Sequence, residues 1–255
     1  MATAGDPDAD EDWPDLRSYG RRRTRKLTAR QQCLIDEVLP RFELDISGPP
    51  PTRLGTLSDP PYERIWLEIG FGGGEHIIWQ ARENSEVCLI GCEPFIDGTV
   101  KVLDAIDTHG ITNLRLFADD ARLVLRWLPA ESLDRVFVLF PDPWPKKRHH
   151  KRRLINPTTI NLLARALKPG AELRVATDIA DYARTILVAM HGHAAFRWTA
   201  RRPEDWRVRP QDWPPTRYEQ KAIRERRRCY FLRFERLRGC QQTTLQPPPQ
   251  KCSKK

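Results

Sequence analysis

Short apolar runs alternate with stretches of helical periodicity through most of the chain. The runs are bounded by Gly, Pro, Asp or Asn and predict buried strands, at Arg64–Ile69 (RIWLEI), 87–93 (VCLIGCE), 113–120 (NLRLFADD), 136–140 (VFVLF) and 172–178 (ELRVATD). The segments after them predict helices, at residues 76–82, 98–109, 121–128, 155–167 (closed by KPGA) and 179–191. This alternation predicts a doubly wound α/β sheet, in which ligands bind at the carboxyl ends of the strands.

The pattern changes towards both ends of the chain. A helix is predicted over residues 28–38, with Thr28 as its N-cap. Residues 197–215 contain three tryptophans and four prolines without a clear period, and are predicted to cover the edge of the sheet. A short helix (216–226) and an alternating strand (229–237) follow. The predicted division is a disordered acidic tail at 1–16, a basic arm and helix at 17–52, the main domain at 53–238 and a disordered tail at 239–255.

Charge adds a class of partner to this picture. The chain has 43 Lys and Arg against 34 Asp and Glu, a net charge of +9, and the excess is clustered at 17–31 and 146–153. A clustered basic charge favours nucleic acid or an anionic membrane surface. No apolar run approaches the ~20 residues that span a bilayer. The six cysteines have no metal-ligand spacing, so we expect reduced thiols in a cytoplasmic protein without a metal site or membrane partner.

The segment 136–153, VFVLFPDPWPKKRHHKRR, carries the most distinctive chemistry. Prolines at alternate positions after the strand fix the backbone of a turn that contains one carboxylate, Asp142. Trp144 and a cationic run follow. On its own this segment fits equally with an active site that faces a polyanion and with a proline-rich loop followed by a solvated charge run.

Acidic residues lie at the ends of successive predicted strands. Glu68 precedes the glycine-rich turn that starts at Gly70, while Glu93, Asp120 and Asp142 end or follow the second, third and fourth strands. One such acid is most simply a helix cap. Four at the same edge of the sheet instead indicate a nucleotide-like ligand that needs carboxylate acceptors and lacks phosphates. S-adenosylmethionine fits best, because acids tolerate its sulfonium charge.

Several motifs together resemble the bacterial tRNA (guanine-N7-)-methyltransferase family. They are LEIGFGGGEH, IGCEPF, FPDPWPKKRHHKRRLI, LKPG followed by ATD, and the late TRYE, with the arm RSYGRRRTRKLT before them. The resemblance covers residues 18–237 and departs only mildly, with PGA for PGG and no Met in the glycine-rich turn. It implies a Rossmann-like S-adenosylmethionine-dependent methyltransferase fold with a mostly parallel seven-stranded sheet. The implied reaction transfers a methyl group to N7 of a guanosine in the variable loop of tRNA.

The resemblance also implies roles for individual residues. Glu93 is expected to hold the ribose hydroxyls, Asp120 to face the adenine and Asp142 to be catalytic. Independently of the resemblance, guanine offers N–H donors on its Watson–Crick edge, and either Asp142 or Asp178 is expected to accept from them. The implied cofactor contacts are Glu68, Gly70, Glu93, Asp120 and Asp142. The implied substrate contacts are Lys146, Asp178, Thr216, Arg217, Tyr218 and Glu219. The implied RNA contacts are Arg148, His149, His150, Lys151, Arg152 and Arg153.

Stacking on the target base is an equal alternative to packing for Trp144, whereas packing is favoured for Tyr218. Two other functions remain open, a methyltransferase of another substrate class and a non-enzymatic RNA-binding protein on the same fold. The basic clusters disfavour the first, and the intact acids disfavour the second. The expected state is a monomer or a homodimer.

Overall fold

The computed structural model describes residues 26–57 and 61–239. They contain a seven-stranded sheet in the order β3-β2-β1-β4-β5-β7-β6. Its strands are β1 Arg64–Ile69, β2 Val87–Cys92, β3 Leu114–Phe117, β4 Leu133–Leu139, β5 Leu167–Thr177, β6 Phe196–Trp198 and β7 Tyr230–Arg236. The pairs among β1 to β5 are parallel, and β7 runs antiparallel to both β5 and β6. The predicted doubly wound, mostly parallel seven-stranded sheet is confirmed.

Helices connect the parallel strands and cover both faces of the sheet. They are α1 Ala29–Cys33, α2 Leu39–Phe42, α3 Glu75–Glu83, α4 Ile96–His109, α5 Ala121–Trp127, α6 Pro157–Ala166, α7 Ala180–His191, α8 Glu204–Arg207 and α9 Arg217–Arg224. A π-helical segment, Leu34–Val38, joins α1 to α2, and two 3₁₀ helices occupy Leu54–Leu57 and Lys147–Arg152. Thr28 caps α1 as predicted, since its Oγ1 accepts a hydrogen bond from the backbone N–H of Gln31.

The apolar runs are nearly continuous because both faces of the sheet are buried. On one face Leu67 belongs to a core that also contains Val124 of α5 and Leu163 of α6. On the other face Phe137 belongs to a core that includes Ile77 of α3 and Leu103 of α4. Within the described ranges, no helix is long and apolar enough to cross a bilayer.

Two predicted elements differ from the structure. The KPG segment does not form a glycine-terminated helix end: α6 ends at Ala166 and β5 begins at Leu167. The reason is that Leu167 pairs with Leu133 before a register shift in the β4–β5 ladder, and the positive φ of Gly170 (84°) accommodates the irregularity. Residues 197–215 are also less irregular than predicted, because Phe196–Trp198 forms an edge strand on β7 and α8 follows it.

The predicted acidic tail at 1–16 and most of the basic arm lie outside the described residues, as does the tail from residue 240. The domain boundaries proposed from the sequence therefore stay predictions.

Candidate active site

A cleft of about 390 Å³ lies at the carboxyl ends of β1 to β4. Its walls come from the loops after these strands and from the first turn of α9. The strand order reverses between β1 and β4. Loops on either side of such a switch point leave the sheet in opposite directions, and a crevice opens between them. The lining includes Gly70, Glu93, Asp120, Asp142, Trp144, Arg152, Arg217 and Tyr218.

The glycine-rich turn between β1 and α3 forms the floor of this cleft. Gly70, Gly72 and Gly74 have φ values of 74°, 55° and 84°, a region that side chains with a Cβ atom rarely adopt. A further glycine, Gly98 in α4, allows the helix to approach the turn, since a Cβ atom there would lie 2.1 Å from the carbonyl oxygen of Gly72. Gly98 has no signal in the sequence, because its role depends on a neighbour distant in the chain.

Glu93 is held rigidly at the end of β2. Its Oε2 accepts a hydrogen bond from the N–H of Gly72 (2.7 Å) and its Oε1 accepts one from the N–H of Phe95 (2.9 Å). Burial raises its pKa, partly opposed by these two donors and reinforced by the charges of Asp142 and Glu68. A carboxylate has about four acceptor positions, so Glu93 can still accept from a ligand in the cleft.

Asp120 and Asp142 face the same cleft in different electrostatic environments. Burial alone would raise the pKa of Asp120, but the hydrogen bonds and charge of Arg122 outweigh it and lower that pKa. Asp120 Oδ2 lies 2.5 Å from Arg122 Nη2, and its Oδ1 caps α5 by accepting from the Arg122 N–H. Partial desolvation raises the pKa of Asp142. Asp120 is therefore the more firmly ionised of the two carboxylates.

Glu68 lies beneath the cleft and does not line it. It is 2% exposed, and its Oε2 is 2.7 Å from Nδ1 of the equally buried His76. The other ring nitrogen of His76 is 3.2 Å from Nε2 of Gln80. Since the Gln80 amide is a donor, this contact indicates that His76 carries its proton on Nδ1 and donates it to Glu68. The predicted contact of Glu68 with a cofactor stays a prediction.

The loop that carries Asp142 has a strained backbone at both ends. Phe140 and Trp144 have φ values of 51° and 42°, and left-handed conformations of such residues cost about 1–3 kcal/mol each. The N–H of Phe140 bonds to the carbonyl oxygen of Ala176 (2.7 Å), which ties this end of the loop to β5.

Arg153 secures the middle of the same loop. It is 2% exposed, its Nε donates to the carbonyl oxygen of Pro143 (2.9 Å), and its other nitrogens bind Thr185 and Asp181 on α7. Its guanidinium also lies 4.7 Å from the ring centroid of Tyr182. Arg153 therefore belongs to the protein interior, and its predicted contact with RNA stays a prediction.

The 3₁₀ helix Lys147–Arg152, hereafter the basic turn, stands beside the cleft. Lys146 precedes it, and the side chains of Lys146, Lys147, Arg148 and Lys151 are exposed. Arg152 instead leans inward, with its guanidinium 5.0 Å from the centroid of the Trp144 ring. Trp144 therefore both packs against the basic turn and lines the cleft.

The two histidines of the basic turn differ in their surroundings. Desolvation and the neighbouring cations, Arg152 first among them, lower the pKa of His149. Its ring also meets Trp144 edge-on at 5.9 Å. His150 faces the interior of the loop, 3.1 Å from Nη2 of Arg153. Their predicted contacts with RNA stay predictions.

The TRYE segment, residues 216–219, forms the N-cap and first turn of α9. Two of its residues are buried and two face the cleft. Thr216 and Glu219 are both buried: Thr216 Oγ1 accepts from the Glu219 N–H, and the Glu219 carboxylate binds Arg209 at 3.0 Å. Arg217 and Tyr218 face the cleft. The Tyr218 ring stacks towards Phe140, with centroids 6.3 Å apart. Thus the buried pair positions the two residues that a substrate could reach.

Two other predicted substrate contacts, Asp178 and Lys146, are not part of the cleft lining. Asp178 follows β5, does not line the cleft and is bound by the guanidinium of Arg227. Lys146 is on the surface beside the basic turn. Neither position tests the predicted contacts, which stay predictions.

Comparison with known proteins identifies the family to which this chain belongs. A family model described as a putative methyltransferase matches residues 62–232. A protein of Rhodospirillum rubrum named tRNA (guanine-N(7)-)-methyltransferase is 48% identical over 228 residues, which are 87% of this chain and 88% of that one. A protein of Rhizobium meliloti with the same name is 46% identical and covers 86% of this chain and 94% of its own. The chain belongs to the tRNA (guanine-N7-)-methyltransferase family.

The resemblance inferred from the motifs is thereby confirmed for this methyltransferase. A solved 16S rRNA methyltransferase, KamB, is 18% identical and matches with a TM-score of 0.50 over 69% of this chain and 89% of its own. At that identity the likeness concerns the fold alone, and it agrees with the predicted Rossmann-like methyltransferase fold.

The cleft of this methyltransferase also contains two cations that were not predicted from the sequence, Lys101 and Arg122. Arg122 had a detectable signal, since an Arg two positions after an N-cap Asp can fold back onto it. Lys101 had none, because it is one of many polar positions on the surface of α4. The ion pair of Arg217 with Glu75 (2.6 Å) neutralises a third cation of the cleft.

Proposed function

We propose that this protein transfers a methyl group from S-adenosylmethionine to N7 of a guanosine in the variable loop of tRNA. The observation that carries the proposal is the convergence of Glu93, Asp120 and Asp142 in one cleft, directly beside the basic turn. The names of the relatives support the same substrate and the same target atom. A tRNA substrate is consistent with the cytoplasmic location predicted from the sequence.

The residues of the cleft fit S-adenosylmethionine. Glu93 presents a fixed carboxylate that can accept hydrogen bonds from the two hydroxyls of a ribose. The glycine-rich turn leaves the floor of the cleft free of side chains. Asp120 follows β3, the strand next to β2, and we assign it to the adenine. Arg122 and Arg217 are already ion-paired, so the cleft is less suited to a pyrophosphate than its arginines suggest. When bound, the cofactor supplies an activated methyl group on a sulfonium.

The chemistry requires little of the protein beyond alignment and charge. N7 of guanine carries an in-plane lone pair at neutral pH, so no general base has to remove a proton before attack. Holding the base and the methyl donor in line supplies most of the acceleration. The ring becomes cationic as N7 is methylated, and a carboxylate fixed nearby stabilises that charge. Asp142 has this position, in a loop that Arg153 and the strained backbone at Phe140 hold in place.

The target base needs a surface that holds it once it is exposed. Exposing a nucleotide costs a few kcal/mol, and stacking on an aromatic ring offsets about 1–3 kcal/mol of that. Tyr218 is 45% exposed and lines the cleft, and Trp144 lines it as well. We assign the stacking role to these two rings, and phosphate contacts to the exposed Lys147, Arg148 and Lys151.

Methyl transfer to a defined tRNA tests the proposal. Purified protein is incubated with radiolabelled S-adenosylmethionine and a tRNA transcript that lacks the modification, and the methylated nucleoside is then identified. The expected product is 7-methylguanosine at one position of the variable loop. A transcript with adenosine at that position is the matched substrate control and should accept no label. Label at another atom or position, or none with the intact transcript, would overturn the proposal.

A further inference from the structure

Four exposed cations lie in the second half of α9 and in the turn that joins it to β7. They are Lys221, Arg224, Arg226 and Arg228, hereafter the α9 surface. In the described part of the chain, none of their side chains forms a hydrogen bond or an ion pair. Lys221 and Arg224 are three residues apart on one helix, a spacing at which like charges repel and destabilise the helix.

The acids of this segment are already bound by other arginines. Glu219 binds Arg209, and Glu225 binds Arg227, which also binds Asp178. The positive charge of the α9 surface is therefore not compensated within its own segment. An uncompensated group of cations fits a polyanionic partner.

The position of the α9 surface relates it to the cleft. The first turn of α9 lines the cleft through Arg217 and Tyr218, and a helix of eight residues extends about 12 Å from there. The following turn is fixed at the carboxyl edge of the sheet, because Arg227 binds Asp178 and Tyr230 pairs with Thr177. The α9 surface and the cleft thus share one edge of the sheet.

The basic turn reaches the same cleft from another side. It contributes Arg152 to the lining, whereas α9 contributes Arg217. Cationic side chains therefore extend away from the cleft along two different elements, after β4 and before β7. An RNA whose target base enters the cleft can meet both elements with the backbone on either side of that base.

We infer that the α9 surface is a second phosphate-binding surface, which holds the tRNA backbone flanking the methylated nucleotide. The inference rests on the proposed function for the identity of the RNA. Lysine and arginine that contact phosphates release condensed counterions, so each neutralised phosphate steepens the fall of affinity with salt. A merely solvated cationic surface has no such effect.

Filter binding of an unmodified tRNA transcript between low and moderate salt measures this effect. Two double variants divide the surface, Lys221→Gln/Arg224→Gln and Arg226→Gln/Arg228→Gln. Each is expected to reduce the slope of log affinity against log salt by roughly 0.7–0.9 for every phosphate that the variant no longer neutralises. The KM for tRNA should rise, while kcat at saturating tRNA and the affinity for S-adenosylhomocysteine should stay at wild-type values.

A matched control removes the same charge from the opposite edge of the sheet. Arg82 lies in the last turn of α3 and Arg238 follows β7, so both lie at the amino ends of the parallel strands. Arg82→Gln/Arg238→Gln should leave the slope unchanged. An equal decrease of slope in this control would show that net charge alone causes the effect, and would overturn the inference. Wild-type slopes in both α9 variants would overturn it as well.

The outcomes also separate this inference from the proposed function. Wild-type protein that forms 7-methylguanosine, together with α9 variants of unchanged slope, overturns the α9 surface alone. Wild-type protein that forms none, together with variants of reduced slope, overturns the proposed reaction and retains the RNA-binding surface.

Discussion

Replacing Arg153 by methionine separates a structural role from an RNA contact. The side chain is 2% exposed and connects the loop that carries Asp142 to α7. Arg153→Met keeps much of the stem but removes the guanidinium, so the carbonyl oxygen of Pro143 and the hydroxyl of Thr185 each lose a donor. Asp181 is 62% exposed on its side chain, and water can replace the arginine there.

The expected cost follows from the two half-buried partners, Pro143 and Thr185. A hydrogen bond contributes about 0.5–1.5 kcal/mol net, and a partly desolvated group left without its partner costs more. Removing both bonds gives a decrease of about 2–3 kcal/mol in the free energy of unfolding. For a chain of this size 1 kcal/mol corresponds to about 2–4 °C in Tm, so the expected decrease is roughly 4–12 °C. Turnover should also fall, because Pro143 is adjacent to Asp142.

Thermal unfolding followed by circular dichroism, together with the salt dependence of tRNA binding, provides the assay. Arg153→Met should lower Tm and leave the salt slope at the wild-type value, measured well below the lowered Tm. Arg148→Met is the matched control, since Arg148 is exposed on the basic turn. It should change stability by less than about 0.5 kcal/mol and reduce the slope by roughly one unit. An Arg153→Met protein with the wild-type Tm and a reduced slope would refute the structural role.

Three further predictions concern the cleft and the basic turn. Glu93→Ala should weaken S-adenosylhomocysteine binding roughly tenfold to a hundredfold, since hydrogen bonds to charged groups contribute about 1.5–3 kcal/mol; unchanged affinity in calorimetry would contradict the ribose assignment. Asp142→Asn should retain cofactor binding but lose turnover. An Asp142→Asn protein with the wild-type single-turnover rate would show that Asp142 is not catalytic. Because desolvation raises the pKa of Asp142, the kcat of the wild-type protein should fall with decreasing pH, with an apparent pKa above that of an ordinary aspartate. The exposed cations of the basic turn are Lys147, Arg148 and Lys151. Replacing all three by Gln should reduce the slope of log tRNA affinity against log salt by roughly one unit for each phosphate no longer bound. Equal slopes for variant and wild type would count against RNA binding at the basic turn.

The sequence alone determined the central sheet and the acids at its edge. β1 and β2 are buried on both faces, so their apolar runs are nearly continuous and visible without any partner. Glu93 follows β2 directly, and the prolines around Asp142 define a turn by local chemistry alone. Parallel strands bring their carboxyl ends to one edge, so these acids were expected to converge before any distance was known.

Only the tertiary structure decided which charged residues face a ligand. Arg152 and Arg153 are neighbours in one cationic run, yet the first lines the cleft and the second is buried against α7. Likewise Arg227 binds Asp178 across 49 residues, while Arg226 and Arg228 on either side of it remain exposed. The physical reason is that burial and ion pairing depend on partners distant in the chain, and a run of like charges contains no local signal that distinguishes its members.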